Sequence, residues 1–151
     1  MNEITSGVAW SNTYSLGNEQ IDNQHKMLFS LVSMLTAACA DGSDKEKLSD
    51  TLRFLSRYTE QHFAFEETLQ ICANYPDYET HKKQHEELMN TVGELMDRYV
   101  KTGSSSELSR DVNRIVVKWL INHIQREDKK VGDFLRKRDP LHKKESFKKA
   151  G

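Results

Sequence analysis

Residues 79–88 read ETHKKQHEEL, a polar stretch with histidines at positions 81 and 85. Four residues separate the pair, so on a helix the two side chains stand one above the other on a single face. Lysine, glutamine and glutamate occupy the positions around them. The residues beyond position 87 decide which face this is. Leu88, Val92, Leu95 and Tyr99 continue the same alternating three-four spacing. That pattern predicts one amphipathic helix over about 77–101 with His81 and His85 on its inward side. Gly93 falls beside the stripe, where it either permits close packing or weakens the helix.

Outward from this helix the same period recurs. Toward the N-terminus, Leu48, Leu52, Leu55, Thr59, His62, Glu66, Leu69 and Ala73 form a stripe behind a capping pair, Ser43 with Glu46. The segment NYPD (74–77) ends that helix, because Tyr75 before Pro76 is pushed out of helical geometry. Earlier still, Ile21, His25, Leu28, Val32, Leu35 and Cys39 predict a helix over about 18–40, with Gly42 as its stop. Toward the C-terminus, Ser104 with Glu107 opens a fourth helix reaching about Arg138. Its stripe is Leu108, Val112, Ile115, Val116, Trp119, Leu120, Ile124, Val131 and Leu135. Strand signals are absent. Four long helices with short links predict an all-α, antiparallel up-down-up-down four-helix bundle. We expect one domain over 1–138, with an N-terminal arm at 1–17 and a basic tail at 139–151.

The totals agree with a single helical domain. The chain has 151 residues, 36% hydrophobic and 30% charged, with only two prolines and seven glycines. No run approaches the roughly 18 apolar residues of a membrane helix, so no membrane insertion is expected. The start, MNEITSGVAW, lacks the basic and apolar regions of a signal peptide, which predicts a cytoplasmic protein. Cys39 and Cys72 then read as free thiols. Net charge is −1, yet from Lys129 onward nine Lys or Arg stand against three Asp or Glu. A solvated helix end explains this excess. Without interleaved aromatic residues it is no argument for nucleic acid.

Five of the six histidines, His25, His62, His81, His85 and His123, fall on inward faces, and His142 lies in the tail. Glu66 stands one turn after His62. On the fourth helix Asp128 lies five residues after His123, a rotation of about 140° on an ideal α-helix. Glu127 is nearer the centre line by angle, and spacing alone leaves the two open. A buried carboxylate must be paired or bound to a cation. Five imidazoles and two carboxylates make seven donors, too many for one six-coordinate ion. Two ions can share both carboxylates and a water-derived bridge. Three histidines then fill one ion, and two leave the other with an open position. Imidazole and carboxylate without thiolate suit iron, manganese or zinc. Zinc ordinarily takes four ligands, so the six-coordinate demand favours iron.

The segments IDNQHKML around His25, HFAFEE at 62–67, YPDYETHKKQH at 75–85 and WLINHIQRED ending at Asp128 together resemble the hemerythrin family, specifically its single-domain bacterial members. The likeness covers about 8–135. It implies two iron ions (Fe2+/Fe3+) with a bridging oxo or hydroxo group. By it, His81, His85 and His123 bind one iron, His25 and His62 the other, and Glu66 and Asp128 bridge them. It also implies dioxygen as the ligand, taken at the open position. Leu28, Phe63, Leu120 and Ile124 are then expected to line the pocket, with Trp119 behind. Asp22, Gln24 and Glu67 are candidate partners for histidine N–H groups. Two positions depart from the family pattern. Asn18 follows the LG of the arm where an apolar residue is usual, and Gln70 stands where methionine is usual. A polar Gln70 beside the pocket is expected to admit water or to donate to bound dioxygen.

The leading expectation is reversible dioxygen binding for carriage, storage, delivery to an oxygen-using enzyme, or sensing through a signalling protein. The protein is expected to be a binder and not an enzyme. The competing reading is a di-iron oxidase, peroxidase or nitric oxide reductase using the same open iron.

Overall fold

A computed structural model describes residues 9–40, 45–102, 107 and 110–138. The predicted stops and caps at Gly42, Ser43, Gly103 and Ser104 lie outside these residues, as do Leu108, the tail from 139, and the side chains of Cys39 and Val112.

Three helices are α1 (Glu19–Ala40), α2 (Lys45–Ala73) and α3 (Tyr78–Thr102). The fourth, α4, is built from four abutting segments. These are a π-helical Val112–Val117, an α-helical Lys118–Asn122, a second π-helical stretch His123–Asp128, and an α-helical Lys129–Arg138. The described residues contain no strand. No helix among them is long and apolar enough to cross a membrane.

Local chemistry sets the ends. Asn18 caps α1, its Oδ1 accepting from the Ile21 N–H at 3.0 Å. This accounts for a polar residue at the position where an apolar one is expected. Helix α2 stops at Ala73, where the NYPD segment begins. Asn74 adopts a left-handed backbone (φ 56), and asparagine tolerates that region better than most residues. The Asn74 N–H then meets the Ile71 carbonyl at 3.1 Å, and the Tyr75 N–H meets the Gln70 carbonyl at 2.9 Å. This is the Schellman pairing that closes a helix on its last free carbonyls.

One layer of side chains shows how the helices run. His25 lies near the start of α1, Glu66 near the end of α2, His81 near the start of α3, and Asp128 in the later part of α4. All four meet in one layer, so successive helices alternate in direction and the bundle is antiparallel. Every predicted inward residue of α1 and α3 whose side chain is described is buried. On α2 the phase drifts: Gln70 is fully buried, whereas Leu69 and Ala73 are only half-buried.

The arm closes the end of the bundle at which that layer lies. Tyr14 packs on Phe29 with ring centroids 5.0 Å apart, and Lys26 sits 4.6 Å over the Trp10 ring. Gly17 turns the chain with φ 80. Leu16 is buried against Gly132 of α4 so closely that a Cβ there would lie 2.8 Å from the Leu16 carbonyl oxygen. Arg136 donates to that same carbonyl, and Lys129 Nζ lies 3.4 Å from the Ser15 carbonyl. Cations of the last turns of α4 therefore hold the arm.

Candidate metal centre

Helix α2 sends His62, Glu66 and Gln70 inward, one per turn. Helix α3 adds His81 and His85, and α1 adds His25. On α4 the second π-helical turn begins at His123 and ends at Asp128. Its i→i+5 hydrogen bonding widens the turn and reduces the rotation between residues five apart, which brings Asp128 toward the face of His123. This turn resolves the choice left open by spacing. Asp128 is 1% exposed and its Oδ1 lies 3.1 Å from His123 Nε2. Glu127 turns to the side, where it accepts from Gln84 Nε2 and from Lys130 Nζ, each at 3.4 Å.

The seven side chains form two overlapping groups. One is Glu66, His81, His85, His123 and Asp128, and the other is His25, His62, Glu66 and Asp128. Within each group the donor atoms lie within 4.8 Å of one another, and both carboxylates belong to both groups. His123 Nε2 stands 2.9 Å from His81 Nε2 and 3.2 Å from His85 Nε2. His81 Nε2 is 2.7 Å from Glu66 Oε1 and 3.0 Å from Asp128 Oδ1. On the other side His25 Nε2 is 3.0 Å from Asp128 Oδ2, and His62 Nε2 is 3.3 Å from Glu66 Oε2.

These donors fit metal ions better than they fit one another. Three ring nitrogens converge on a single point, although neutral imidazole offers only one N–H. With metal–nitrogen bonds of about 2.1 Å, neighbouring corners of an octahedron are about 3.0 Å apart, close to the spacings seen. Three buried atoms of the donor set, His25 Nε2, Glu66 Oε2 and Asp128 Oδ1, have no directed hydrogen bond. Such atoms are rare in a folded interior unless a cation faces them.

Charge points the same way. Burial and the Asp128 charge push the Glu66 carboxyl up, but the close ring nitrogens of His62, His81 and His85 outweigh them and hold it below the usual range. Asp128 is likewise raised by burial, yet the His123 charge and the close approach of the His123, His25 and His81 ring nitrogens bring it well below. Both carboxylates are therefore ionised. Burial lowers His81, but its bonds to Asp128 and Glu66 and their charges prevail and leave it at about 9. Without a metal a proton takes that place.

Outer contacts orient the rings. His62 Nδ1 pairs with Gln24 Oε1 at 2.6 Å, and His85 Nδ1 with Glu67 Oε2 at 2.8 Å. Asp22 does not join them. Its carboxylate accepts from the Ser15 hydroxyl at 2.6 Å and from the Leu16 N–H at 2.9 Å, so it anchors the arm and contacts no histidine. The N-terminus of α1 faces the arm, and nearby backbone donors claim the carboxylate first. Phe63 stacks on His85 at 3.7 Å and Trp119 on His123 at 4.3 Å. Leu28, Phe63, Leu120 and Ile124 are buried in one apolar cluster.

The sequence model of the hemerythrin HHE cation binding domain matches residues 16–135. The chain belongs to the hemerythrin family. A bacteriohemerythrin of Pseudomonas paraeruginosa is 31% identical over 121 residues, 80% of this chain and 76% of its own. A bacteriohemerythrin of Methylococcus capsulatus is 33% identical over 114 residues, 76% of this chain and 85% of its own. A myohemerythrin of Theromyzon tessulatum is 30% identical over 126 residues, 83% of this chain and 92% of its own. Within this hemerythrin-family bundle, spacing alone does not reveal two features. The π-helical turn is signalled only by the awkward five-residue step. Gln84, which reaches Glu127 across α3 and α4, gives no signal in a polar run.

Gln70 also stands elsewhere than expected. Helices α1 and α3 leave the donor layer in the direction from which α2 and α4 arrive. Leu28, three residues after His25, and Leu120, three before His123, therefore lie on its mid-bundle side, about 4.5 Å away along the axis. Gln70, four residues after Glu66, lies about 6 Å away toward the arm. It is on the opposite side from the apolar cluster, and its Nε2 faces Glu66 Oε1 at 3.4 Å.

Proposed function

We propose that this protein binds dioxygen reversibly at a non-haem di-iron centre. The observation that carries the reading is the pair of donor groups, with three and two histidines, that share Glu66 and Asp128. His81, His85 and His123 hold one iron, and His25 and His62 the other. The carboxylates common to both groups would serve both ions, and the group with fewer histidines would leave room for an added ligand. When bound, the iron pair supplies two electrons and that open position.

The chain's own residues set the conditions. Glu67 and Gln24 fix the ring orientation of His85 and His62 and make the imidazoles better donors. Leu28, Phe63, Leu120 and Ile124 make the mid-bundle side apolar. An apolar wall admits dioxygen, excludes water and withholds protons. Thr59, one turn before His62 on that side, has its hydroxyl committed to the Leu55 carbonyl at 2.7 Å. It therefore presents no proton to the pocket. A pocket without an acid or base suits a binder more than an oxidase or peroxidase. Carriage, storage, delivery to an oxygen-using enzyme and signalling are all served by the same site.

The test is spectroscopic. Protein loaded with ferrous iron without air, then aerated, should develop ligand-to-iron charge-transfer absorption that disappears under argon and returns with air. One-way oxidation, with steady consumption of an added reductant, would instead establish the enzyme.

A further inference from the structure

Gln70 is fully buried, yet only one end of its amide is satisfied. Nε2 lies 3.4 Å from Glu66 Oε1, and the buried Oε1 has no hydrogen-bond partner. The orientation is not free. A carboxylate only accepts, so the amide must turn its N–H toward Glu66. Folding gives this residue no reason to be polar. It lies three residues before Ala73, the last residue of α2, and its carbonyl receives the Tyr75 N–H. In this helix ending that position and the one held by Tyr75 ordinarily make an apolar contact. One long hydrogen bond gained against one buried acceptor left unpaired is a net loss. An apolar side chain of equal length would stabilise the fold.

We propose that Gln70 is a positioning residue that tunes the iron pair through Glu66 and favours its reduced form. The inference rests on the di-iron reading above. A hydrogen bond to a carboxylate is stronger the more negative charge the carboxylate retains. Ferric ions draw more charge from Glu66 than ferrous ions do, so the Gln70 bond is stronger in the reduced state and shifts the equilibrium toward it. Because Glu66 belongs to both donor groups, one amide acts on both ions. Gln70 lies on the arm side of the layer, so its effect appears in the potential and not in contact with an incoming ligand.

The experiment compares wild type with Gln70→Met and Gln70→Leu, each reconstituted with iron. Three quantities are measured: the melting temperature, the redox midpoint, and the H2O-to-D2O shift of carboxylate infrared bands with 13C-labelled glutamate. Both variants should hold as much iron as wild type and melt at the same temperature or higher. At a fixed potential their reduced-to-oxidised ratio should fall about tenfold, equivalent to about 59 mV for a one-electron couple. The deuterium-sensitive shift of the Glu66 band, present in wild type, should vanish. Iron-loaded variants with the wild-type midpoint overturn the proposal, as does a lowered melting temperature with an unchanged midpoint. A wild-type Glu66 band insensitive to D2O overturns it without any variant. A wild type that takes up no iron overturns the di-iron reading itself, which is a distinguishable result.

Discussion

The two sides of the donor layer are built from opposite materials. Toward the middle of the bundle, Leu28, Phe63, Leu88 and Leu120 are buried in one apolar cluster, and Phe63 stacks on His85. Toward the arm, Gln70 faces Glu66, Asp22 holds Ser15 and Leu16, and Lys129 and Arg136 reach arm carbonyls. The same antiparallel bundle thus offers one dry side and one hydrogen-bonded side. The difference teaches a division of labour. Polar side chains on the arm side hold the carboxylates and the arm, whereas on the mid-bundle side the Thr59 hydroxyl is tied to the Leu55 carbonyl of its own helix.

The largest effect is expected from a Gln70-like amide placed on the dry side. Leu120 is 5% exposed and stands one turn before His123. In Leu120→Gln the amide has no partner in the apolar cluster. Loss of apolar contact and burial of an unpaired amide should together destabilise the protein by about 2–5 kcal/mol. Chemical denaturation of the metal-loaded protein measures the loss. Oxidation in air should also become faster, because the amide brings water to the pocket. A variant as stable as wild type, with unchanged oxidation, would mean that the two sides are interchangeable.

The side with polar contacts is probed at Gly132. A Cβ there would lie 2.8 Å from the Leu16 carbonyl oxygen and 2.9 Å from Leu16 Cβ. Leu16 cannot retreat freely, since Asp22 and Arg136 hold its backbone. Gly132→Ala should therefore cost about 1–3 kcal/mol through overpacking, and thermal denaturation would report it. Protease cleavage near 10–17 should quicken in parallel. A stable variant with a protected arm would show that the arm is not pinned at this contact.

Much of this arrangement is legible in the sequence, and the failures share a cause. The alternating three-four spacing locates α1 and α3 because their inward residues keep an ordinary α-helical phase from Ile21 to Leu35 and from His81 to Tyr99. On α4 it places Val116, Leu120, Ile124 and Val131, all buried, and falls short only across the π-helical stretch from His123 to Asp128. A rule built on a fixed 100° per residue cannot anticipate a π-turn, so family likeness points to Asp128 where angle does not. It fails again at the end of α2. Hydrophobicity assigns Leu69 inward, but the protein buries Gln70, which keeps the four-residue step of His62 and Glu66 on the inward face. Spacing misplaces Asp22 because the period of one helix carries no information about an arm that folds back on it.

Gly93 offers the smallest effect and a control on both sides. It sits inside α3, eight residues beyond His85 and well clear of the donor layer. Sequence leaves two readings, close packing or simple weakness. A Cβ built on Gly93 meets nothing within 4 Å, so no neighbour requires its absence. What remains is the backbone freedom that glycine carries in the unfolded chain. Gly93→Ala should raise stability by about 0.5–1 kcal/mol, with the redox midpoint and iron content unchanged. Denaturant midpoints with equal slopes would establish the gain as a change in stability alone. A loss of stability would instead reveal a partner that needs the glycine. A changed midpoint would mean that the site responds to general tightening of the bundle, and the Gln70 and Leu120 effects could then no longer be assigned to the side of the layer on which each residue lies.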